Sequence, residues 1–189
     1  MASMHARDDT TLGILAGGRA TRLGGEDKAW VTYRGETLVE RTLRALGDAF
    51  DMRLVNANRG LERYATLGLR VVPDRVAGFP GPLAGLDALL ATCMTPLLLT
   101  VPVDLRAIPH DLVARLLSTG EGGAVAQDAS GQQPLVALWP VERARIAVTN
   151  ALARGERAVH HVVAELALPH VYFDGADFGN LNTPGDFLT

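Results

Sequence analysis

Leu12-Gly13-Ile14-Leu15-Ala16-Gly17-Gly18-Arg19-Ala20-Thr21-Arg22-Leu23-Gly24-Gly25-Glu26-Asp27-Lys28 decides how the rest of the chain is read. Its first half is a short apolar run of the kind that forms a buried strand. It then breaks into a loop holding Gly17, Gly18, Gly24 and Gly25 together with Arg19, Arg22 and Lys28. Glycines let backbone N–H groups approach an anion with no Cβ in the way, and the three cations supply the charge that phosphate oxygens need. The loop is therefore read as a phosphate holder. Spacing excludes two other phosphate loops. Lys28 stands between Asp27 and Ala29, so there is no Gly-Lys-Ser/Thr, and the loop contains no Gly-x-Gly-x-x-Gly. A flexible connector with solvated charges is a poor account of three cations beside four glycines directly after a buried strand.

Outward from the loop, short apolar runs alternate with helical patterns. Trp30 to Tyr33 reads as a strand ending at the turn Arg34-Gly35, and Thr37-Leu38-Val39-Glu40 as a capping box opening a helix to about Leu46. A strand from Met52 to Val55 delivers Asn56-Ala57-Asn58-Arg59. A helix from Leu61 to Leu67 leads to a strand at Leu69 to Val72, ended by Pro73-Asp74. Pro82 suits the first turn of a helix to about Cys93. Pro96 to Val103 is the most continuous apolar run in the chain, a central strand buried on both faces, with Asp104 at its carboxyl end. Beyond it come a helix from Pro109, a strand Ala124 to Ala126, a turn Asp128-Ala129-Ser130-Gly131, and a strand Pro134 to Trp139. Helices at Val141 to Ala153 and Arg157 to Leu166 follow, then a strand Leu168 to Phe173 and a final helix from Thr183-Pro184. The pattern predicts an α/β fold with a mostly parallel sheet flanked by helices on both faces.

At 189 residues one domain with a full core is expected, spanning 1–189 with residues 1–10 as a flexible N-terminus. A net charge of −3 argues against a nucleic-acid or membrane-surface partner, so the basic loop is a local feature. The single cysteine, Cys93, excludes an internal disulfide and a multi-cysteine zinc site, and reads as a small core residue. No apolar stretch approaches the ~20 residues of a membrane span, and a cytoplasmic monomer is expected.

A cationic glycine loop after the first strand and an aspartate after a buried central strand are what a Mg²⁺-dependent nucleotidyltransferase needs. The loop would hold a triphosphate and Asp104 a metal bridging its phosphates. Asp104 also has the simpler reading of a turn or cap residue ahead of Ile108-Pro109, and Asn56 that of a turn former. At these residues the chain resembles a known family. Leu15-Ala16-Gly17-Gly18, Arg22-Leu23-Gly24-Gly25 and Asp27-Lys28 are similar to the signature of the nucleotidyltransferases. Val55 to Arg59, the run ending at Asp74, Pro80 to Gly85, Pro102-Val103-Asp104, Gln133-Pro134 and Asn180 to Pro184 narrow the resemblance to the molybdenum cofactor guanylyltransferases.

That resemblance implies a Rossmann-like nucleotidyltransferase domain joining GMP from GTP to molybdopterin with Mg²⁺. Leu15, Ala16 and Gly17 would contact the guanine nucleotide through backbone groups, Gly18 would allow the tight turn, and Arg22 and Lys28 would grip the phosphates. Asn56 and Asp74 would recognise guanosine, a carboxylate accepting from N1–H and the 2-amino group being the sensible way to select G over A. Asp104 would bind the metal. Asn180, Asn182 and the Gln133-Pro134 corner would lie toward the pterin, and other cofactor-biosynthesis proteins or recipient molybdoenzymes are the implied protein partners. Rival readings are a cytidylyltransferase, a sugar-phosphate nucleotidyltransferase, or a catalytically idle nucleotide-binding regulator. Departures from the family pattern are Val103, Leu105 and Arg106 around the metal aspartate, where cysteine, threonine and proline are expected, and Gln133 in place of a histidine. Three further expectations concern residues outside the motifs. His160 and His161 point to different faces of one helix and do not share an ion. Trp139 is a core or rim aromatic. Arg143, Arg145, Arg154 and Arg157 form a solvated face.

Overall fold

A computed structural model describes residues 8–17, 27–75, 81–182 and 184–187. One seven-stranded sheet runs through them, built from β1 (Thr10–Leu15), β4 (Arg53–Asn56), β5 (Arg70–Val72), β6 (Leu97–Pro102), β7 (Ala124–Asp128), β8 (Gly131–Pro140) and β9 (His170–Tyr172). Strand order is β5-β4-β1-β6-β8-β7-β9. Only β8 runs against its neighbours, so the sheet is mostly parallel. Two short strands, β2 (Thr32–Tyr33) and β3 (Glu36–Thr37), form a separate hairpin.

Side-chain alternation along the strands sorts the interior into two cores, one on each face. Leu12, Ile14, Leu97, Leu99, Val101, Ala124, Ala126 and Leu138 point to one face, where α1 (Leu38–Leu46), α2 (Leu61–Ala65) and α4 (Leu112–Leu117) cover them. Leu15, Leu54, Leu98, Val125, Ala137 and Trp139 point to the other, under α3 (Pro82–Thr92), α5 (Val141–Ala153) and α6 (Val159–Glu165). Every residue of β6 is buried, as a strand with helices on both faces requires. Trp139 is a core residue, its indole N–H donating to Thr100 Oγ1 at 2.8 Å inside the second core. Cys93 is buried at the end of α3.

Side-chain caps mark two of the element starts, at Asp27 and Thr37. Thr37 and Glu40 form the expected capping box at the start of α1, with the Glu40 carboxylate accepting from Thr37 N–H at 2.9 Å. Four expectations are corrected. Trp30 is not in a strand, because Asp27 caps Lys28–Trp30 into a 3₁₀ turn and pairing begins only at Thr32. The helix expected from Pro109 starts at Leu112, whose N–H first donates to the Pro109 carbonyl in a turn. Nor do all four arginines near α5 stand free in solvent. Arg145 donates to the carbonyls of Leu90 and Cys93 at the end of α3, and Arg143 to that of Leu166. Thr183 lies outside the described residues, and a 3₁₀ turn, Pro184–Phe187, stands where a final helix was expected.

Candidate active site

In a mostly parallel sheet the ends of the strands share one edge, and ligands collect outside the carboxyl end. Here β1 ends at Leu15, β4 at Asn56, β5 two residues before Asp74 and β6 two residues before Asp104. Because β8 is reversed, its first residues and the end of β7 reach the same edge, bringing Gln133 to it. The order of the strands therefore sets out the expected site residues in a row: Asp74, Asn56, the Leu15–Gly17 segment, Asp104, Gln133. Gly18 and Arg22 lie outside the described residues.

Lys28 stands at the centre of the row. Its ammonium donates to the carboxylate of Asp104 and, at 2.7 Å, to Asn182 Oδ1. Both partners of the ion pair are mostly covered, with side chains 20% and 15% exposed. Asn182 arrives there because the chain after β9 is stitched back to the end of β6. Leu105 bridges Asn180, Leu181 N–H donates to the Asp104 carbonyl at 2.8 Å, and Arg106 N–H donates to that of Gly179. The family departures at Leu105 and Arg106 thus have structural work. Leu105 is buried, and the Arg106 side chain pairs with Asp177 and Asp186. From α1, Arg41 donates to the carbonyls of Leu105 and Arg106 at 2.6 and 2.7 Å, holding the segment just after Asp104.

A second cluster lies two strands away. Asn56 is 2% exposed, and its amide nitrogen donates to the Val72 carbonyl at 3.0 Å and to Asp74 Oδ1 at 2.8 Å. Both N–H bonds of Asn56 are spent within the protein, so toward a ligand its side chain can act through Asp74 or as an acceptor at Oδ1. Asn58 grips Asp74 from the other side, donating to Oδ2 at 2.8 Å and accepting from Asp74 N–H at 2.9 Å. From the described residues each carboxylate oxygen of Asp74 accepts one hydrogen bond, which leaves a lone pair on each for two donors presented side by side.

Between the clusters the backbone of the first strand runs on. Ala16 N–H donates to the Asn56 carbonyl at 3.0 Å, and Val103 N–H to the Leu15 carbonyl at 3.0 Å. Leu15 and Ala16 are buried, so what they offer a ligand is main chain. Two glycines make room here. A Cβ on Gly17 would lie 2.8 Å from Asn56 Oδ1, and one on Gly85, in α3, would run into the same oxygen while meeting Leu15 Cδ2 at 3.0 Å. Neither position tolerates a side chain without displacing Asn56.

Gln133 stands apart from both clusters. Its amide donates to Asp128 Oδ1 at 3.1 Å and to Ser130 Oγ at 3.0 Å, bracing the β7–β8 turn. The Asp128 carboxylate also accepts from Ser130 N–H and Oγ and from Phe178 N–H. Burial would raise its pKa, but the hydrogen bonds from Ser130, Phe178 and Gln133 outweigh burial and hold it below the ordinary carboxylate value. His160 and His161 do not diverge as expected: their rings meet edge-on with centroids 4.1 Å apart, and His161 Nδ1 lies 3.1 Å from the Glu156 carboxylate. Among the described residues no group of three or more His, Cys, Asp or Glu is placed to hold a metal.

Sequence reasoning passed over Asn58, Arg41 and Tyr64, whose hydroxyl donates at 2.7 Å to Asp27 beside Lys28, as individual site residues. Asn58 carried a usable signal, since in an extended segment it shares a side with Asn56. Arg41 and Tyr64 lie on helices and reach the site only through tertiary contacts.

A strand-end row that can take up phosphates near Lys28 and a base near Asp74 suits the nucleotidyltransferases. The family model of the MobA-like NTP transferase domain matches residues 12–170. A molybdenum cofactor guanylyltransferase of Cupriavidus necator is 39% identical over 196 residues, covering 98% of each chain. Among solved structures, molybdopterin-guanine dinucleotide biosynthesis protein A of Archaeoglobus fulgidus shares the fold with a TM-score of 0.70 at 19% identity, over 94% of each chain. The 2-C-methyl-D-erythritol 4-phosphate cytidylyltransferase of Thermus thermophilus shares it with a TM-score of 0.69 at 22% identity, over 93% of this chain and 94% of that one. The chain belongs to the MobA-like NTP transferase family.

Proposed function

We propose that this chain transfers the guanylyl group of GTP to molybdopterin, giving molybdopterin guanine dinucleotide and pyrophosphate. The observation that carries the reading is Asp74 held by Asn56 and Asn58. That carboxylate keeps one lone pair on each oxygen for the N1–H and 2-amino group of guanine, a pair of donors that adenine and cytosine do not present together. The 39% identity to a named guanylyltransferase over nearly the whole chain supports the same choice.

In the reaction the terminal phosphate of molybdopterin attacks the α-phosphorus. The new P–O bond forms as the α–β bond breaks and pyrophosphate leaves. The nucleophile is anionic near neutral pH, so no general base is assigned. What the protein does is position and neutralise. Leu15, Ala16 and Gly17 line the nucleotide with main chain and Lys28 binds phosphate oxygens, while Gly18 and Arg22, outside the described residues, keep the phosphate-holding role that the sequence assigns them. Asn180, Asn182 and the hairpin around Gln133 face the second substrate.

A divalent metal fits at Asp104, and Mg²⁺ is the ion proposed. Mg²⁺ takes one or two carboxylates and fills its other positions with phosphate oxygens and water, which a single mostly covered aspartate beside a phosphate-binding lysine allows. When bound, the ion would offset charge on the phosphates. No helix among the described residues is long and apolar enough to cross a membrane, and we place the reaction in the cytoplasm.

Pyrophosphate release tests the reading, with purified protein, molybdopterin and GTP, CTP or ATP in turn, with and without chelator. Release confined to GTP and lost on chelation is expected. Release with CTP would move the chain to the cytidylyl activity, and none with any nucleotide would favour another acceptor or an idle binding protein.

A further inference from the structure

A buried tyrosine hydroxyl needs a partner, and the partner of Tyr64 is informative. Tyr64 lies in α2, fully buried, and donates to Asp27 Oδ2 at 2.7 Å. The other oxygen of Asp27 accepts from Ala29 N–H at 3.2 Å and caps the 3₁₀ turn Lys28–Trp30. At the far end of that turn the Trp30 ring packs on the Tyr64 ring with centroids 4.9 Å apart, and the Arg63 guanidinium lies 3.9 Å from the Trp30 centroid. One side chain thus touches the residue before Lys28 and the last residue of the turn that Lys28 begins.

We propose that Tyr64 is a positioning residue for Lys28, its hydroxyl holding Asp27 and its ring holding Trp30 so that the ammonium meets the phosphates from a fixed backbone. The proposal rests on the guanylyl-transfer reading for what Lys28 does; the anchoring itself is independent of it. A phenylalanine would satisfy packing alone, whereas this hydroxyl makes a charge-assisted bond to a carboxylate that has a second task. Burial and the Asp27 carboxylate both push the tyrosine pKa up, so the group stays a donor. Because α2 opens shortly after the segment carrying Asn56 and Asn58, one anchored unit joins the base side of the site to its phosphate side.

The test compares the full unaltered chain with Tyr64→Phe, Asp27→Ala and the double variant. Hydrogen exchange over residues 27–31 reports the turn without nucleotide, while equilibrium binding of GTP and of guanosine reports phosphate and base sides separately. Tyr64→Phe is expected to speed exchange over 27–31 with the sheet unchanged, to weaken GTP about tenfold and to leave guanosine within about twofold. The double variant should bind GTP within about twofold of Asp27→Ala, since the two groups act through one bond. Equal loss of GTP and guanosine, unchanged exchange over 27–31, or effects that multiply would each overturn the proposal. Should the unaltered chain bind no GTP, the guanylyl reading fails while exchange still decides the anchoring: faster exchange in Tyr64→Phe keeps it, unchanged exchange removes it. If Tyr64→Phe does not fold, Asp27→Asn, which keeps an oxygen for Ala29 N–H while removing the carboxylate that the Tyr64 hydroxyl holds, carries the same exchange and binding readouts.

Discussion

At Lys28, one ammonium meets the carboxylate of Asp104, just after β6, and the amide oxygen of Asn182, in the segment after β9, so three distant parts of the chain converge on a single charge. Removing it subtracts phosphate neutralisation and leaves the helices and strands in place, since Lys28 lies in a 3₁₀ turn outside the sheet. Lys28→Ala should therefore lower transfer about 10²- to 10³-fold, the loss typical of one preorganised charge-stabilising group. Its melting temperature should stay within a few degrees of the unaltered chain. Steady-state turnover together with thermal unfolding checks this, and a variant with near-normal turnover would remove Lys28 from the chemistry. Lys28 and Asp104 were legible in the sequence because each has a local sign, a cation in a glycine loop and an acid just after a buried strand. Asn58 was half legible, through its alternation with Asn56. Tyr64 and Arg41 were not, because what they do depends on which loop folds back beside their helices, and no spacing encodes that.

The β7–β8 hairpin shows how an element can be recognised while its construction stays hidden. Asp128 to Gly131 read as a turn from composition alone. That the Asp128 carboxylate also seizes Phe178 N–H, tying the chain after β9 to the hairpin, could not be read, because the partner is 50 residues away. A carboxyl held below its ordinary pKa in the folded state binds protons more readily when unfolded. The stability it contributes is present above the unfolded value near ~4 and is lost as pH falls through the lower folded value. Asp128→Asn turns one accepting oxygen into a donor facing N–H groups, so it should melt at a lower temperature than the unaltered chain at pH 7. The gap should narrow as pH falls below the ordinary carboxylate value and the carboxyl of the unaltered chain takes up its own proton. Melting curves across that range check the sign, and a constant gap would mean that the carboxylate's charge contributes nothing. Arg145 carries the same lesson for α3. Its composition reads as a solvated charge, yet its guanidinium closes the end of a helix 55 residues earlier in the chain.

Across the whole molecule, strand order decides what can be near what. Alternating strands and helices announced an α/β sheet, but not that β8 inserts in reverse between β6 and β7. That reversal carries Gln133 to the carboxyl edge and separates it from Asp74 by four strand intervals, about 19 Å at the usual ~4.8 Å spacing. A base bound at Asp74 cannot also touch the hairpin, so base recognition and pterin recognition should be separable by mutation. Asp74→Asn exchanges one acceptor for a donor opposite guanine and should raise KM for GTP about 10- to 100-fold while leaving KM for molybdopterin within about twofold. Gln133→Ala, which loosens the turn at Asp128 and Ser130, should do the reverse and spare GTP. Measuring both constants for both variants gives four numbers, and the division requires each variant to disturb only its own substrate. If Gln133→Ala raised KM for GTP as far as that for molybdopterin, the hairpin would belong to the nucleotide's half of the edge, and the second substrate would have to lie elsewhere along the sheet.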